Sequence, residues 1–438
     1  MMHFSAIPTE LVETILVNLE PEDLARVSAV NKGLHTLLYG ATDKHVWRVV
    51  FLSLFDDPSH ALPHIAVEFP ENKRPEYDIN AVCDWRNQLQ RRIRARNAMH
   101  NFLDLTTAER IETLDTLVEI VLTAVPYSEE FPTSKNTTFV QTLLKEHPVP
   151  DYEDWKPATA EEHQLKAWLR SFGPQAPKTP DPANQNLERR VARAYVYDMR
   201  NYTARTRWGP YLESKNISWQ HVYAIIQVIL HNILEHNSDE GMLYPPLGFD
   251  HVRRFSSPDY NKRSENDWAG VEGIWTRVVC FMDYRDLMHY NFTAEGNDLL
   301  DPEIFRQRNF GEATRVIRVE MVLESTTDNK ENPEYPVLHV KGRSFQANGS
   351  ESYGRLQGTV RMTAQGVVRW HFVRMVSNVG NTPQWGSEGV QIGGVGSAIG
   401  VVGIWSGVHH QEDDPAGPFW LWKESGPETT IERKALLF

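Results

Sequence analysis

The chain has 438 residues, 41% hydrophobic and 24% charged, with a formal net charge of −13. That is room for two or three globular domains, and the acidic balance excludes a general nucleic-acid binder, whose phosphate contacts need a basic surface. Cys83 and Cys280 stand apart without a CxxC, which excludes a disulfide framework and a cysteine-based zinc site, and neither a membrane-length apolar run nor a charged-then-apolar leader is present, so an intracellular place, cytoplasmic and/or nuclear, is expected.

Residues 4–47 read as three short helices. Pro8 suits the first turn of a helix, where a missing N–H costs nothing, and Glu10 and Glu13 suit the positive end of its dipole. Leu11, Ile15, Leu16 and Leu19 then form a one-sided apolar stripe. Pro21, Glu22 and Asp23 open a second helix carrying Leu24, Val27 and Val30, and a third after Asn31 carries Leu34, Leu37 and Leu38. So short a unit cannot bury three stripes by itself, so some of these side chains are expected to face another protein.

The pattern Ile7-Pro8-x-Glu10, Ile15-Leu16-x-x-Leu19, Asp23-Leu24-x-x-Val27-Ser28-x-Val30-Asn31-Lys32 and a closing Trp47 resembles the F-box. That module docks substrate receptors on the Skp-type adaptor of cullin-based (SCF) ubiquitin ligases. Asn31 stands where the family often has Cys, and Leu34 where it often has an aromatic residue; both keep the helical pattern. The resemblance implies adaptor and cullin as partners, and an adaptor-facing set of Ile7, Pro8, Leu11, Ile15, Leu16, Leu24, Val27 and Val30. The plain alternative is the first helical bundle of a larger core.

Residues 51–75, with Pro58, Pro63, Pro70 and Pro75, read as an ordered connection. Trp85, Leu89 and Ile93 then share a helix face, with Arg86, Arg91, Arg92, Arg94 and Arg96 read as a solvated surface around it. A helix is predicted over 106–125, capped by Thr107 and burying Ile111, Leu114, Leu117, Val118, Val121 and Leu122. Further helices are predicted over 138–146, 160–171, 187–202 and 219–235; the last is apolar nearly all round and so central. Residues 172–186 are a proline-rich loop.

From about Trp268 the period changes to alternation. Strands are predicted over 274–281, 287–292, 315–323, 337–341, 356–363, 367–376, 389–392, 400–405 and 419–422. In the third, Ile317, Val319, Met321 and Leu323 alternate with Arg318, Glu320 and Glu324, which means one dry face and one wet. Ala364-Gln365-Gly366 reads as a short hairpin. The expected fold is α+β: a three-helix unit over 1–55, an all-helical middle over 56–250, an antiparallel β-barrel or sandwich over 251–425, and a tail over 426–438. The last β unit, from about residue 250, is expected to fold alone.

Catalytic signatures are sparse. In Gly393-Gly394-Val395-Gly396-Ser397-Ala398-Ile399-Gly400 an isoleucine takes the third glycine position of GxGxxG, and a strand-like stretch comes next where a helix is required. His409-His410-Gln411-Glu412-Asp413-Asp414 lacks a second ligand cluster and reads as a polar loop. With neither HExxH nor GxSxG present, no catalytic residue, metal or cofactor is assigned and the chain is not expected to be an enzyme. Residues 385–422 instead combine four tryptophans with many glycines, a composition suited to binding. With Trp268-Ala269-Gly270-x-x-Gly273-Ile274-Trp275, this block resembles the C-terminal domain of fungal F-box proteins and, distantly, the lipocalin-like barrel of F-box proteins that bind cyclin D. Trp385, Glu388, Gln391, Trp405 and His409 are expected to form a substrate site at the barrel mouth, with Glu388 and Gln391 orienting the ligand. The expected function is thus a substrate-recognition subunit of an SCF-type ligase. The alternatives are an F-box scaffold outside a ligase and a small-molecule-binding barrel attached to an F-box.

Overall fold

The computed structural model describes residues 7–40, 44–68, 84–175, 177, 181, 185–236, 244–292, 299–306, 310–346, 352–376 and 382–426. Pro70, Pro75, Cys83, part of the 172–186 loop and positions 427–438 lie outside them.

Three short helices open the chain: α1 (Thr9–Leu16), α2 (Pro21–Ser28) and α3 (Lys32–His35). Pro21 occupies the first turn of α2 with Glu22 and Asp23 beside it, and the Asn31 side chain caps α3 by accepting from the Leu34 N–H at 2.9 Å. Val12, Leu16, Leu24, Leu34 and Leu38 turn inward against α4 (His45–Leu54), where the Trp47 indole donates to the Leu38 carbonyl at 2.7 Å. A short α5 (Leu62–Glu68) comes after it.

The opening helices are bound into the helical middle of the chain. Buried Asp56 accepts from the Val125 N–H at 2.9 Å, the Ser134 hydroxyl at 2.5 Å and the Lys135 N–H at 2.8 Å. On α6 (Trp85–Met99), Arg92 lies 4.7 Å from the Phe51 ring and 4.6 Å from Phe55, and burial pushes its guanidinium down to about 10. Arg91 pairs with Asp115 and Glu119, and Arg96 with Glu22. The basic side of this helix is therefore not simply solvated: three of its arginines tie α6 to its neighbours.

The middle continues with α7 (Thr107–Leu122), α8 (Lys135–Glu146), α9 (Ala160–Phe172), α10 (Leu187–Val196) and α11 (Trp219–His236). The cap of α7 is Thr106, not Thr107: its hydroxyl accepts from the Glu109 N–H while the Glu109 carboxylate accepts from the Thr106 N–H at 2.8 Å. Ser134 caps α8, which starts three residues before the predicted Thr138, and α10 ends before Tyr202 in a separate 3-10 turn (Met199–Asn201).

Helix α11 is central, as its composition indicates. Val222, Ile225, Ile226, Ile229, Leu230 and Ile233 are all buried around it, between α9 and α10 on one side and the β-sheet on the other. Burial also pushes His221 down to about 3 and His231 to about 4. Both folded-state values lie below the ~6.5 of an unfolded histidine, so the neutral rings contribute stability above that pH and lose it as pH falls toward the folded values. Urea midpoints measured at pH 7, 6 and 5 are expected to decline steadily, and His221→Gln to flatten part of that decline.

Among the described residues eight antiparallel strands form a closed barrel: β1 (Gly273–Met282), β2 (Glu312–Thr327), β3 (Val337–Gln346), β4 (Ser352–Met362), β5 (Val368–Val376), β6 (Thr382–Gln391), β7 (Val401–Gly407) and β8 (Ala416–Ser425). Each pairs with the next, and β8 returns to β1 with Trp422 opposite Thr276 and Trp420 opposite Val278. The chain is thus α+β with a barrel in its C-terminal part. Gly366 supplies the positive φ of 71° in the predicted hairpin, and Gly400 sits at φ 87° where a Cβ would lie 2.1 Å from the Leu421 carbonyl oxygen.

One predicted strand is a helix. Residues 287–292 belong to α12 (Tyr284–Phe292), because Asp283 caps it, accepting from the Arg285 N–H at 2.9 Å, while Leu287 and Tyr290 bury one side at helical spacing. Strand β6 starts at Thr382 rather than 389, since Pro383 and Gly386 hide the alternation from a reading by hydrophobicity.

Inside the barrel Trp275, Met321, Leu338, Val360, Trp370 and Leu421 make a dry core. The outer wall is equally apolar: Val278, Cys280, Val402, Ile404, Trp420 and Trp422 share one core with the helices. Arg193 of α10 also pairs with Glu312 of β2 at 2.8 Å, both nearly fully buried, and the Tyr197 hydroxyl donates to the same carboxylate. The outer wall of the β unit expected to fold alone from residue 250 is covered by α11. Among the described residues no helix is long and apolar enough to cross a membrane.

Candidate functional site

Strand parity decides what faces the barrel interior. On β1, Trp275, Arg277, Val279 and Phe281 point inward while Thr276, Val278 and Cys280 point out. Tyr260, Trp268 and Val395 close one end; the Tyr260 hydroxyl donates to the Trp268 carbonyl at 2.6 Å. The other end holds a cup of about 430 Å³ between the end of β1 and the starts of β6 and β8.

The cup has aromatic walls and a basic interior. Trp385 and Trp405 meet edge to face at 5.4 Å and 85°, and the Trp405 indole donates to the Cys280 carbonyl at 3.1 Å. Phe281, Ile317, Leu356 and Phe372 complete much of the wall. Deep within it, Arg277 donates to the Ser387 hydroxyl oxygen at 2.8 Å and its guanidinium lies 4.6 Å from the Phe419 ring. Burial, together with the charge of Arg374, pushes Arg277 down to about 10, still cationic at neutral pH. Arg315 and Arg374 line the same cup, with Asp283 also on its lining.

Of the five expected substrate-site residues, the structure brings Trp385 and Trp405 together and separates the other three. Glu388 points outward, because a side chain three positions from Trp385 must take the opposite face of the strand. There it accepts from Arg369 Nε at 2.9 Å and Nη2 at 2.6 Å, and its second oxygen lies 2.7 Å from His371 Nδ1. Gln391 has the inward parity but lies at the closed end, accepting from the Trp370 indole at 3.3 Å and donating to the Gly394 carbonyl at 3.2 Å. His409 is exposed in the turn after β7, whereas His410 stacks on Trp208 at 4.0 Å. Residues 393–400 are also at the closed end: Gly393 packs on Val252 and Gly396 on Tyr260, so these glycines serve internal packing.

Sequence reasoning missed Arg277, Arg374 and Ser387. The available signal was an arginine at the inward parity of an otherwise apolar strand, Trp275-Thr276-Arg277-Val278-Val279. Glu388 now has a structural role, and Glu388→Ala is expected to cost about 1–3 kcal/mol of unfolding free energy by leaving the half-buried Arg369 without its carboxylate. Chemical denaturation would measure this.

At the front of the chain the motif residues divide in two. Leu11 is 55% exposed, Ile15 48% and Val30 71%; Pro8 is exposed, and Ile7 and Val27 are half-buried. Leu16 and Leu24, expected to face outward, are 1% and 0% exposed and belong to the core. On α1, Leu16 shares the buried face with Val12, a face turned from the one carrying Leu11 and Ile15, and Leu24 is buried on α2 with Ser28. Compared with family models, with curated proteins and with solved structures, the chain has no match.

Proposed function

We propose that this protein is the substrate-recognition subunit of an SCF-type ubiquitin ligase, docking on a Skp-type adaptor through an F-box formed by α1 to α3 and receiving its substrate in the C-terminal barrel. The observation that carries the reading is the exposure of Leu11, Ile15 and Val30 in a motif whose Leu16 and Leu24 are anchored in the core shared with the helical middle. Exposed large apolar side chains grouped in one short motif suit a protein interface. The closed eight-strand barrel with a cup at one end supports a lipocalin-like reading, in which a ligand is held at the mouth.

On this reading the chain does no bond chemistry. It holds a substrate lysine near a charged ubiquitin-conjugating enzyme, replacing a bimolecular encounter by an effectively intramolecular one. Affinity purification of the tagged full chain from cells treated with a proteasome inhibitor tests it: adaptor and cullin should be recovered together. Adaptor without cullin would favour a scaffold outside a ligase, and recovery of neither would reject the assignment. The small-molecule-binding barrel is kept as a second reading because the cup is both apolar and cationic.

A further inference from the structure

We infer that the open cup of the barrel binds a carboxylate carried on an apolar body, which enters head first so that its oxygens meet the guanidinium of Arg277. The inference deepens the reading of the barrel as the receiving end and rests on that part alone; docking through α1 and α2 is not needed for it.

Arg277 is the starting point. It is 9% exposed, its Nε has no hydrogen-bond partner among the described residues, and no carboxylate among them pairs with it. Its polar partner is the neutral Ser387 hydroxyl. A buried cation without a counter-ion is costly, and an arriving anion removes that cost. The planar guanidinium also matches a carboxylate in shape, donating two parallel hydrogen bonds. Ser387 accepts from Arg277, which leaves its own O–H to donate to the same ligand.

The surroundings fix the rest of the ligand. Arg315 and Arg374 line the same cup, so a local positive potential stands inside a chain whose net charge is −13. The acid on the lining, Asp283, is occupied in capping α12. Phe281, Phe372, Trp385 and Trp405 offer apolar surface and no further charge, which suits a hydrocarbon or aromatic body behind the head group. A volume of about 430 Å³ falls in the range of small-molecule sites. A free organic acid and the carboxyl terminus of a protein share this chemistry.

The test titrates the purified full-length protein with the fluorescent fatty acid cis-parinaric acid and with its methyl ester. The acid is expected to bind on the order of tenfold more tightly or better, and Arg277→Met to abolish the difference while thermal melting shows the variant folded. Equal binding of acid and ester, no binding of either, or unchanged acid preference in Arg277→Met would overturn the inference. Should Arg277→Met fail to fold, the acid-to-ester ratio in the wild type still decides. A second arm competes bound parinarate with an apolar hexapeptide bearing a free carboxyl terminus and with its amide. Displacement by the free acid form alone identifies a protein terminus as a source of the head group, and no displacement by either assigns the site to free organic acids. Failure of the parinarate titration with adaptor binding intact would remove the ligand and leave the docking proposal standing.

Discussion

A fragment beginning at residue 244, with the whole barrel but without α11, is expected to be insoluble or molten when expressed alone. Its outer wall would expose Val278, Cys280, Val402, Ile404, Trp420 and Trp422, all buried in the core shared with the helices. At roughly 1.5–3 kcal/mol for each large apolar side chain, losing that cover costs on the order of 10 kcal/mol, comparable to the whole stability of an ordinary domain. Glu312 would also lose its partners Arg193 and Tyr197. Near-UV circular dichroism and heat denaturation would decide. A native-like aromatic signal with a cooperative transition would show that the barrel stands alone after all.

The second large effect is expected from Leu11→Asp combined with Ile15→Asp. Both side chains are about half exposed, so melting of the free protein should hardly change. Binding to the adaptor should fall by at least about 100-fold, since two buried apolar contacts worth roughly 1.5–3 kcal/mol each are replaced by carboxylates that must be desolvated. Leu16→Ala and Leu24→Ala serve as the contrast. Both remove core volume, so each should cost about 2–5 kcal/mol of stability, and any loss of docking should follow the folded fraction. Isothermal titration and thermal melts on the same preparations separate the two behaviours.

Legibility in the sequence tracked the strength of the local pattern. Helix α11 was legible because apolar residues spread nearly all round a segment of helical length have one compact solution, burial on most sides. Strand β2 was legible from Ile317, Val319 and Met321 alternating with charged residues, although its full extent, Glu312–Thr327, was not. Helix α12 was misread because Leu287, Met288 and Tyr290 suit a strand as well as a helix, and the cap at Asp283 lies outside that apolar stretch.

The candidate site was half legible for a related reason. Trp385 and Trp405 announce themselves by size and land on the cup wall. Glu388 was misplaced because parity along β6 decides the facing; with Trp385 inward, Ser387 and not Glu388 faces the cup. Arg277 lies more than a hundred residues from Trp385, and only closure of β8 onto β1 brings these strands into one cup. The glycines of residues 393–400 read as room for a ligand, yet the space they leave is filled by Val252, Arg254 and Tyr260 of the same chain.

Reconstitution with purified adaptor and cullin tests the central proposal most directly. The full-length chain, mixed with both and separated by size-exclusion chromatography with light scattering, should elute in one stoichiometric ternary complex, whereas Leu11→Asp/Ile15→Asp should elute apart from a preserved adaptor–cullin pair. Separate elution of the wild-type chain, or entry of the double variant into the complex at the wild-type level, would contradict it.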